Sequence, residues 1–507
     1  MMRITNSMMT TNTKNHININ KANEDKVNTQ MATGQKISKP SDDPVIAIRA
    51  LRLNTNLSQL NQFYDKNIPD AEAWMKITET ALKQTDSIFD HVKENLTTGA
   101  SDTCTADDRM KILENLKGLR SEVYSSGNAD YAGRTVFTGY RTGEPLSFLS
   151  TDTDLNCNYK IHQNLSGDDV ERITYITTGE KESEITTNDV YRVRLPYDVL
   201  NETDGDTLTI KAPSEDIDVT VKSIKGMAQP DIDNVYTTIG DDDAYLIPET
   251  GELILGKNVY EKMKNVTADS PATFEYNKNS WQPSELRPEH YFACVKTEGM
   301  PPKDIYYNYD KEDSDGKPLT NPADYVPNFK DEKIEVEISF NQKIEINTNA
   351  DEVYTHDIGR DIDDLLKATQ DVIDVETKLA QLKLDMTAAK TDADKQAIQV
   401  KIDAANKEFA YKKDKMQKMF SEGLDRFDGY ADRNNLAVAN IGNMSSRLKI
   451  TRERVADQLQ SFTELADENI NITLTDTAID LSNAELALQA AQMAAAKIAQ
   501  QTLLNYL

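Results

Sequence analysis

The chain has 507 residues, with 85 acidic against 57 basic side chains and a formal net charge of −28. Nucleic acid and anionic membrane both need basic surface, so this charge excludes them as partners and instead favours solubility at high local concentration. A hydrophobic share of 38% permits a core, a mean hydropathy of −0.62 puts much of the surface in water, and the length allows about two to four domains.

The first 15 residues hold no apolar h-region and no small-residue cleavage site, so no standard secretory signal is read there. Export would need a route without a cleaved signal. No stretch reaches the roughly 18–20 apolar residues of a membrane span. Residues 10–30 are rich in Asn, Thr and Lys, with only Ile17, Val27 and Met31 as a thin apolar stripe. So little apolar surface does not offset the ordering cost. Residues 1–40 are therefore expected to be an assembly arm, disordered in the monomer and folding on binding.

A helix is predicted to start at Asp43, whose carboxylate can cap it, with Pro44 in the first turn where its missing N–H costs nothing. Ile46, Ala50, Leu53, Leu57, Leu60 and Tyr64 then alternate steps of four and three, a coiled-coil seam. The stripe continues through Ala71, Trp74, Ala81, Ile88 and Val92, and Pro69 predicts a kink or restart. Thr98-Gly99-Ala100-Ser101-Asp102 reads as a turn into a second helix carrying Ile112, Leu116, Leu119 and Val123.

Proline marks the next boundary. Of 16 prolines, 13 lie between Pro145 and Pro327, and none follows. Proline breaks helices and central strands alike, so this middle region must be rich in loops and short strands. Residues 172–177, 217–222 and 333–340 show the alternation or β-branched enrichment of strands. The last run meets residues 343–347 across Asn341-Gln342, as in a hairpin.

The helical period returns with Leu365, Ala368, Val372, Val375, Leu379, Leu382, Met386 and Ala389. Residues 361–422 form either one helix of about 90 Å at 1.5 Å per residue or two with a break at Thr391-Asp392. Gly423 and Gly429 are expected to interrupt the helix again. A further helical region carries Leu448, Val455, Leu459 and Phe462. The tail places Leu481, Ala484, Leu488, Ala491, Ala495 and Ile498 on one stripe.

The expected fold is mainly α with an inserted β or α+β region. It would be an elongated multi-helix coiled-coil bundle built from both chain ends, with a variable β-rich domain between them. The segments are 1–40 (arm), 41–145 (first part of a helical rod), 146–352 (insert), 353–465 (second part of the rod) and 466–507 (C-terminal assembly helix). The two ends offer apolar stripes without local partners, so they are expected to pair with each other and with copies of themselves.

No catalytic, cofactor or metal residues are assigned. His16, His91, His162, His290 and His356 are scattered, and Cys104, Cys157 and Cys294 fit no zinc or redox spacing. Asp313 and Asp315, with Gly316, have a calcium-loop look, but the first and twelfth loop positions hold Lys311 and Pro322. Asp42 and Asp43 are read as a helix start. An enzyme would need a pocket of convergent, pKa-shifted groups, which no motif announces.

The stretch from Ala32 to Arg52, with Thr33-Gly34-Gln35-Lys36-Ile37-Ser38-Lys39-Pro40-Ser41-Asp42-Asp43-Pro44 within it, resembles the N-terminal signature of flagellin-like proteins. Within that family it is most similar to the hook–filament junction members. Met2 to Met9, Asn67, Ala71-Glu72-Ala73-Trp74 and Phe137-Thr138-Gly139-Tyr140 extend the resemblance. Near the other end, Ile441 to Leu448, Leu486 to Ala490 and Leu503-Leu504-Asn505-Tyr506-Leu507 are similar to the family's C-terminal part. The likeness covers roughly residues 1–145 and 435–507. The chain departs from the pattern at Pro69, in its whole middle, and in the length of 361–422.

The resemblance implies a structural protein of the bacterial flagellum, outside the cell at the hook–filament junction, exported unfolded by the flagellar secretion system. Implied partners are other copies of itself in a ring, hook-associated protein 1 on the hook side and flagellin on the filament side. A flagellar export chaperone would bind the C-terminal region before export. The alternative is a flagellin filament subunit. Flagellins tend to carry an S-x-x-D-D-A-A-G stretch where this chain has Ser41-Asp42-Asp43-Pro44-Val45, and they end in a different tail.

Overall fold

The computed structural model describes residues 6–212, 217–226, 229–299, 301–308 and 332–504. The elements follow the expected division into helices, sheet and helices. First come α1 (Asn6–Thr33), α2 (Pro44–Gln62), a π-helical turn (Phe63–Asn67), α3 (Ile68–Ala100) and α4 (Ala106–Ser126). A two-stranded ribbon, β1 (Asp130–Tyr131) and β2 (Arg134–Thr135), leads to the insert.

The insert holds β3 (Asn158–Leu165), β4 (Val170–Ile176), β5 (Thr187–Arg194), β6 (Thr207–Ala212), β7 (Ile217–Ser223), α5 (Gln229–Thr238), β8 (Ala244–Ile247) and β9 (Glu252–Leu255). It continues with α6 (Lys257–Met263), β10 (Ala272–Lys278), α7 (Pro288–Tyr291), β11 (Ala293–Glu298) and β12 (Lys303–Tyr307). The hairpin β13 (Glu335–Ser339) and β14 (Gln342–Glu345) follows, then α8 (Ala350–Val353), α9 (His356–Ala388), α10 (Asp392–Ile470) and α11 (Leu474–Leu504).

Ten strands form one sheet in the order β12-β11-β3-β10-β6-β7-β8-β9-β5-β4. All neighbours are antiparallel except β7 and β8. One face buries Tyr159, Ile161, Phe274, Tyr276 and Trp281, with Val259 and Met263 of α6 in the same cluster. On the other, Tyr236 of α5 joins Val190, Ile247 and Ile254. The ten-stranded sheet with α5 and α6 is thus one α+β layer system, while β13 and β14 form a separate two-stranded sheet whose turn falls at Phe340-Asn341, with Asn341 at φ +54.

The chain divides into two compact units. One comprises residues 1–72, 336–344 and 446–507, and the other 73–335 and 345–445. In the second unit, α3, α4, α9 and the first part of α10 pack as a bundle. The predicted stripe of α3 is its buried face, from Ala71 through Trp74, Ala81, Ile88 and Val92. Phe89 meets Phe427 and Tyr430 of α10 edge-on or tilted, and Arg109 and Arg120 of α4 pair with Glu376 and Asp363 of α9.

The sheet is clamped to the bundle by buried charge. Arg192 of β5 reaches Glu252 (2.6 Å), Asp364 (2.7 Å) and Glu171 (2.8 Å). Arg194 reaches Asp361 (2.7 Å), which also accepts from Arg426 (2.8 Å) and Tyr430 (2.8 Å).

Three local expectations resolve as follows. Pro69 is met by the π-turn just before α3 rather than by a kink. The 361–422 stretch is two helices, and Thr391 Oγ1 accepts from Asp394 N to start the second. The interruption expected at Gly423 and Gly429 does not occur, since α10 runs through both. A helix-interior glycine costs only about 1 kcal/mol, and Gly423 lies where a side chain would touch Leu96 and Leu365 at 3.4–3.8 Å. Helix α1 spans Asn6–Thr33 of the expected arm, with α11 packed along it.

His290 is buried and His356 is half-buried, and both are held neutral. His290 donates Nε2–H to the Pro145 carbonyl (3.0 Å), and His356 Nε2 lies 2.9 Å from the Tyr197 hydroxyl. Burial pushes each down to about 3 from its ordinary 6.5. The unfolded chain then binds more protons than the folded one between those values, so stability falls as pH drops from 6.5 towards 3. Denaturant unfolding at pH 7 and pH 5 should show a loss of about 2 kcal/mol per histidine. The double variant His290→Asn, His356→Gln should lose most of that difference.

Candidate functional site

The candidate site is the joined pair of chain ends, all within the first unit. Gly34 ends α1 with φ +72, the left-handed cap that glycine adopts without cost. Gln35 and Asn471 then form an antiparallel bridge. Lys36 N donates to Ile470 O (2.7 Å), and Ile472 N donates to Gly34 O (3.0 Å). Gln30 Nε2 donates to Lys36 O (2.5 Å), and the Lys36 ammonium donates to Glu468 O. Both ends of the chain therefore bend at one tied joint.

Asp42 and Asp43 have the helix-start role expected of them. Asp42 Oδ2 accepts from Lys39 N (2.9 Å) and Ser38 N (3.1 Å), which holds its carboxyl below the usual range. Asp43 Oδ1 accepts from Val45 N (2.9 Å) and Ile46 N (3.2 Å), capping α2. Asn469 Nδ2 donates to Ile46 O, tying α2 to the end of α10. Further along, Arg452 pairs with Glu72 (2.8 Å) and lies over the Tyr64 ring. Asn67, in the stretch similar to the family's, donates to Glu337 O, and Phe63 meets Phe340 edge-on at 5.6 Å.

Beyond the joint, α1 and α11 lie side by side. The stripes foreseen from periodicity are the half-buried positions: Ile17, Val27 and Met31 on α1, and Leu481, Ala484, Leu488, Ala491, Ala495 and Ile498 on α11. Asn20 Nδ2 donates to Ala487 O (3.2 Å). The pairing leaves a second stripe of α11 in solvent. Ile479 (55% exposed), Leu486 (63%) and Met493 (65%) repeat every seven residues. Val45, Ile48 and Leu51 form a similar exposed row on α2. This second seam was not singled out from sequence. Its heptad spacing was visible, but the Ala-rich helix offers apolar residues on most faces.

Elsewhere the residues scanned for chemistry are not brought together. His16 and His91 are exposed, and His162 Nδ1 lies 2.8 Å from Glu275, whose carboxyl is held down to about 2. The three cysteines are unpaired. Asp154, Cys157 and Glu298 approach one another, but Lys296 already bridges the two carboxylates at 2.8 and 2.9 Å, in the place a metal would take. The calcium-like stretch at Asp313–Gly316 lies outside the described residues.

The second unit holds a half-open cavity of about 770 Å³ between β4, β5 and α5 on one side and α9 and α10 on the other. Sequence reading did not foresee it, because its walls come from segments far apart in the chain. Its acids and bases mostly pair with each other, and among the described residues no His, Cys or Ser lines it. Burial lowers the Lys415 ammonium and raises the Asp371 carboxyl within it.

Residues 4–142 match the family model described as the bacterial flagellin N-terminal helical region. Over 142 residues, or 28% of this chain, the sequence is 30% identical to flagellar hook-associated protein 3 of Salmonella typhimurium. Over 143 residues it is 24% identical to a flagellin of Clostridium tyrobutyricum. The chain matches 44% and 38% of those relatives' lengths, so it spans less than half of the curated proteins it resembles. Among solved structures, a putative flagellar hook-associated protein from Vibrio parahaemolyticus aligns over 85% of this chain and 100% of its own. Its TM-score is 0.35 at 11% identity, too slight a likeness to argue from.

The α1–α11 pair buries few large side chains, each contributing about 1.5–3 kcal/mol at full burial and less when half-exposed. It should open far more readily than the bundle. Hydrogen exchange on the isolated protein should find α1 amides exchanging at least tenfold faster than those of α3. Equal protection would contradict this.

Proposed function

We propose that this chain, whose residues 4–142 carry the flagellin-type N-terminal helical region, is a structural protein of the bacterial flagellum. It forms the junction ring that joins hook-associated protein 1 to the flagellin filament. No catalytic role is proposed. The observation that carries the reading is that α1, inside the flagellin-type region, pairs with α11 from the opposite end of the chain. That pairing leaves the Ile479–Leu486–Met493 seam open for neighbouring copies.

Assembly then follows from burial. A monomer exposes the seam and holds its ends loosely. In the ring the seam meets helices of adjacent subunits, and the free energy of that burial favours polymer over monomer. The acidic charge keeps free subunits apart and soluble. A flagellin filament subunit is the second reading. It is less favoured, because identity over the shared region is 30% to a hook-associated protein 3 and 24% to a flagellin. The departures at Pro44-Val45 point the same way.

In this reading the chain is exported unfolded by the flagellar secretion system. A flagellar export chaperone covers its C-terminal region beforehand, and the arm of residues 1–40 gains lasting order only in the ring. Deleting Ser482–Leu507 should leave the bundle and sheet folded, with an unchanged unfolding transition for the second unit. The truncated protein should not enter flagella. A strain lacking the whole gene should show hooks without filaments by electron microscopy and flagellin in the medium. Filaments of normal length in either strain would refute the assignment.

A further inference from the structure

Lys278 is the last residue of β10, and the strand alternation puts it on the inward side with Ala272, Phe274 and Tyr276. Its side chain is fully buried. The ammonium has three neighbours: the Asp198 carbonyl (2.5 Å), Asp198 Oδ1 (3.5 Å) and Glu285 Oε1 (3.2 Å). Around them the surroundings are aromatic. The Trp281 ring centre is 5.2 Å from the nitrogen and that of Tyr197 is 6.0 Å, and Trp281 stacks on Phe148. Such a site penalises charge on Lys278 and Glu285, while the Asp198 side chain keeps 30% exposure. Burial accordingly raises the Glu285 carboxyl, against the pull of Lys278.

The backbone holds Asp198 in place at some cost. Val199 has φ +48, a region β-branched residues avoid. Val199 N and Leu200 N donate to Glu249 O (3.3 Å) and Pro248 O (2.9 Å). Gly251, at φ +64, is what lets this turn come close, since a Cβ there would lie 2.0 Å from Tyr197 O. Arg360 Nη1 stands 3.8 Å from Asp198 Oδ2. A void of about 20 Å³, enough for about one water, touches both Asp198 and Glu285.

We infer that Lys278 and Asp198 condense into an intramolecular amide, with Glu285 as the catalytic residue. The ammonium passes a proton to Asp198 Oδ1, so that a neutral amine faces a neutral acid. The amine lone pair attacks Asp198 Cγ, forming the C–N bond, and negative charge collects on Oδ2 opposite Arg360. Glu285 gives its proton to the leaving Oδ1 hydroxyl and recovers one from the nitrogen. The Cγ–Oδ1 bond breaks and one water leaves. Nothing is oxidised or reduced, and no co-reactant is needed. The cross-link would staple β10 to the segment after β5. It is independent of the assembly reading.

The test is mass spectrometry of the purified full-length chain. The intact mass should be lower than the sequence requires by one water. A digest should contain a branched peptide joining Lys278 to Asp198. Glu285→Gln, with its far-ultraviolet circular dichroism unchanged, should retain the full sequence mass, and so should Asp198→Ala. A wild-type chain of full mass, or a water loss without the branched peptide, overturns the inference even if no variant folds.

Discussion

The terminal unit depends on one short piece of backbone pairing. Gly34 to Lys36 and Ile470 to Ile472 exchange two main-chain hydrogen bonds at the point where both ends of the chain turn. Helix α1 is too polar to choose its own register against α11. Its stripe has only Ile17, Val27 and Met31, separated by Asn20 and Glu24. A one-residue slip would turn that stripe by about 100° away from Leu481, Ala484 and Leu488. The joint removes this freedom, so a weak helix pair becomes a defined one. The same joint decides which face of α11 is covered and therefore which is left in solvent.

The second unit is held by a contrary principle. Its sheet and helices meet through Arg192, Glu252 and Asp361, which are buried, together with the half-buried Arg194 and Asp364 and the exposed Arg426. Buried charge is tolerable only when every member is paired, and losing one partner typically costs about 3–5 kcal/mol. Such a network demands one arrangement and resists gradual opening. Thinly packed ends thus sit on the same chain as a body held by paired charge. That division of stability is what the proposed assembly needs, with ends free to find partners while the middle keeps its shape.

What the sequence disclosed follows the range of the interactions. The seams of α2, α3, α9 and α11 were legible, because a helix face is written at fixed spacing. Asp43 was legible as a cap for the same local reason. Gly423 misled because its cost of about 1 kcal/mol is small beside the packing of a 79-residue helix. The sheet order was not legible. β3 pairs with β10 and β11, over 100 residues away, and nothing local names those partners. The 770 Å³ cavity and the Arg192 network were hidden for that reason too. Lys278 left one trace: it stands at the inward parity of a strand reading Ala272, Phe274, Tyr276. A lysine in an apolar slot is a signal that no motif search collects.

The placement of Lys278, Asp198 and Glu285 also constrains the order of events. The three groups come from β10, the turn after β5 and the loop before α7. They meet only when the sheet has formed and Gly251 has admitted the Asp198 turn. An amide between them therefore cannot precede folding. A chain threaded through a narrow channel must be extended, and a staple closing residues 198–278 into a loop would bar it. The two proposals are compatible in one order only: passage first, then folding, then condensation. Once closed, the staple would shorten the unfolded chain's reach and raise the barrier to mechanical opening of the sheet. The reactive geometry is thus best suited to a protein that folds at its destination and is not required to unfold again.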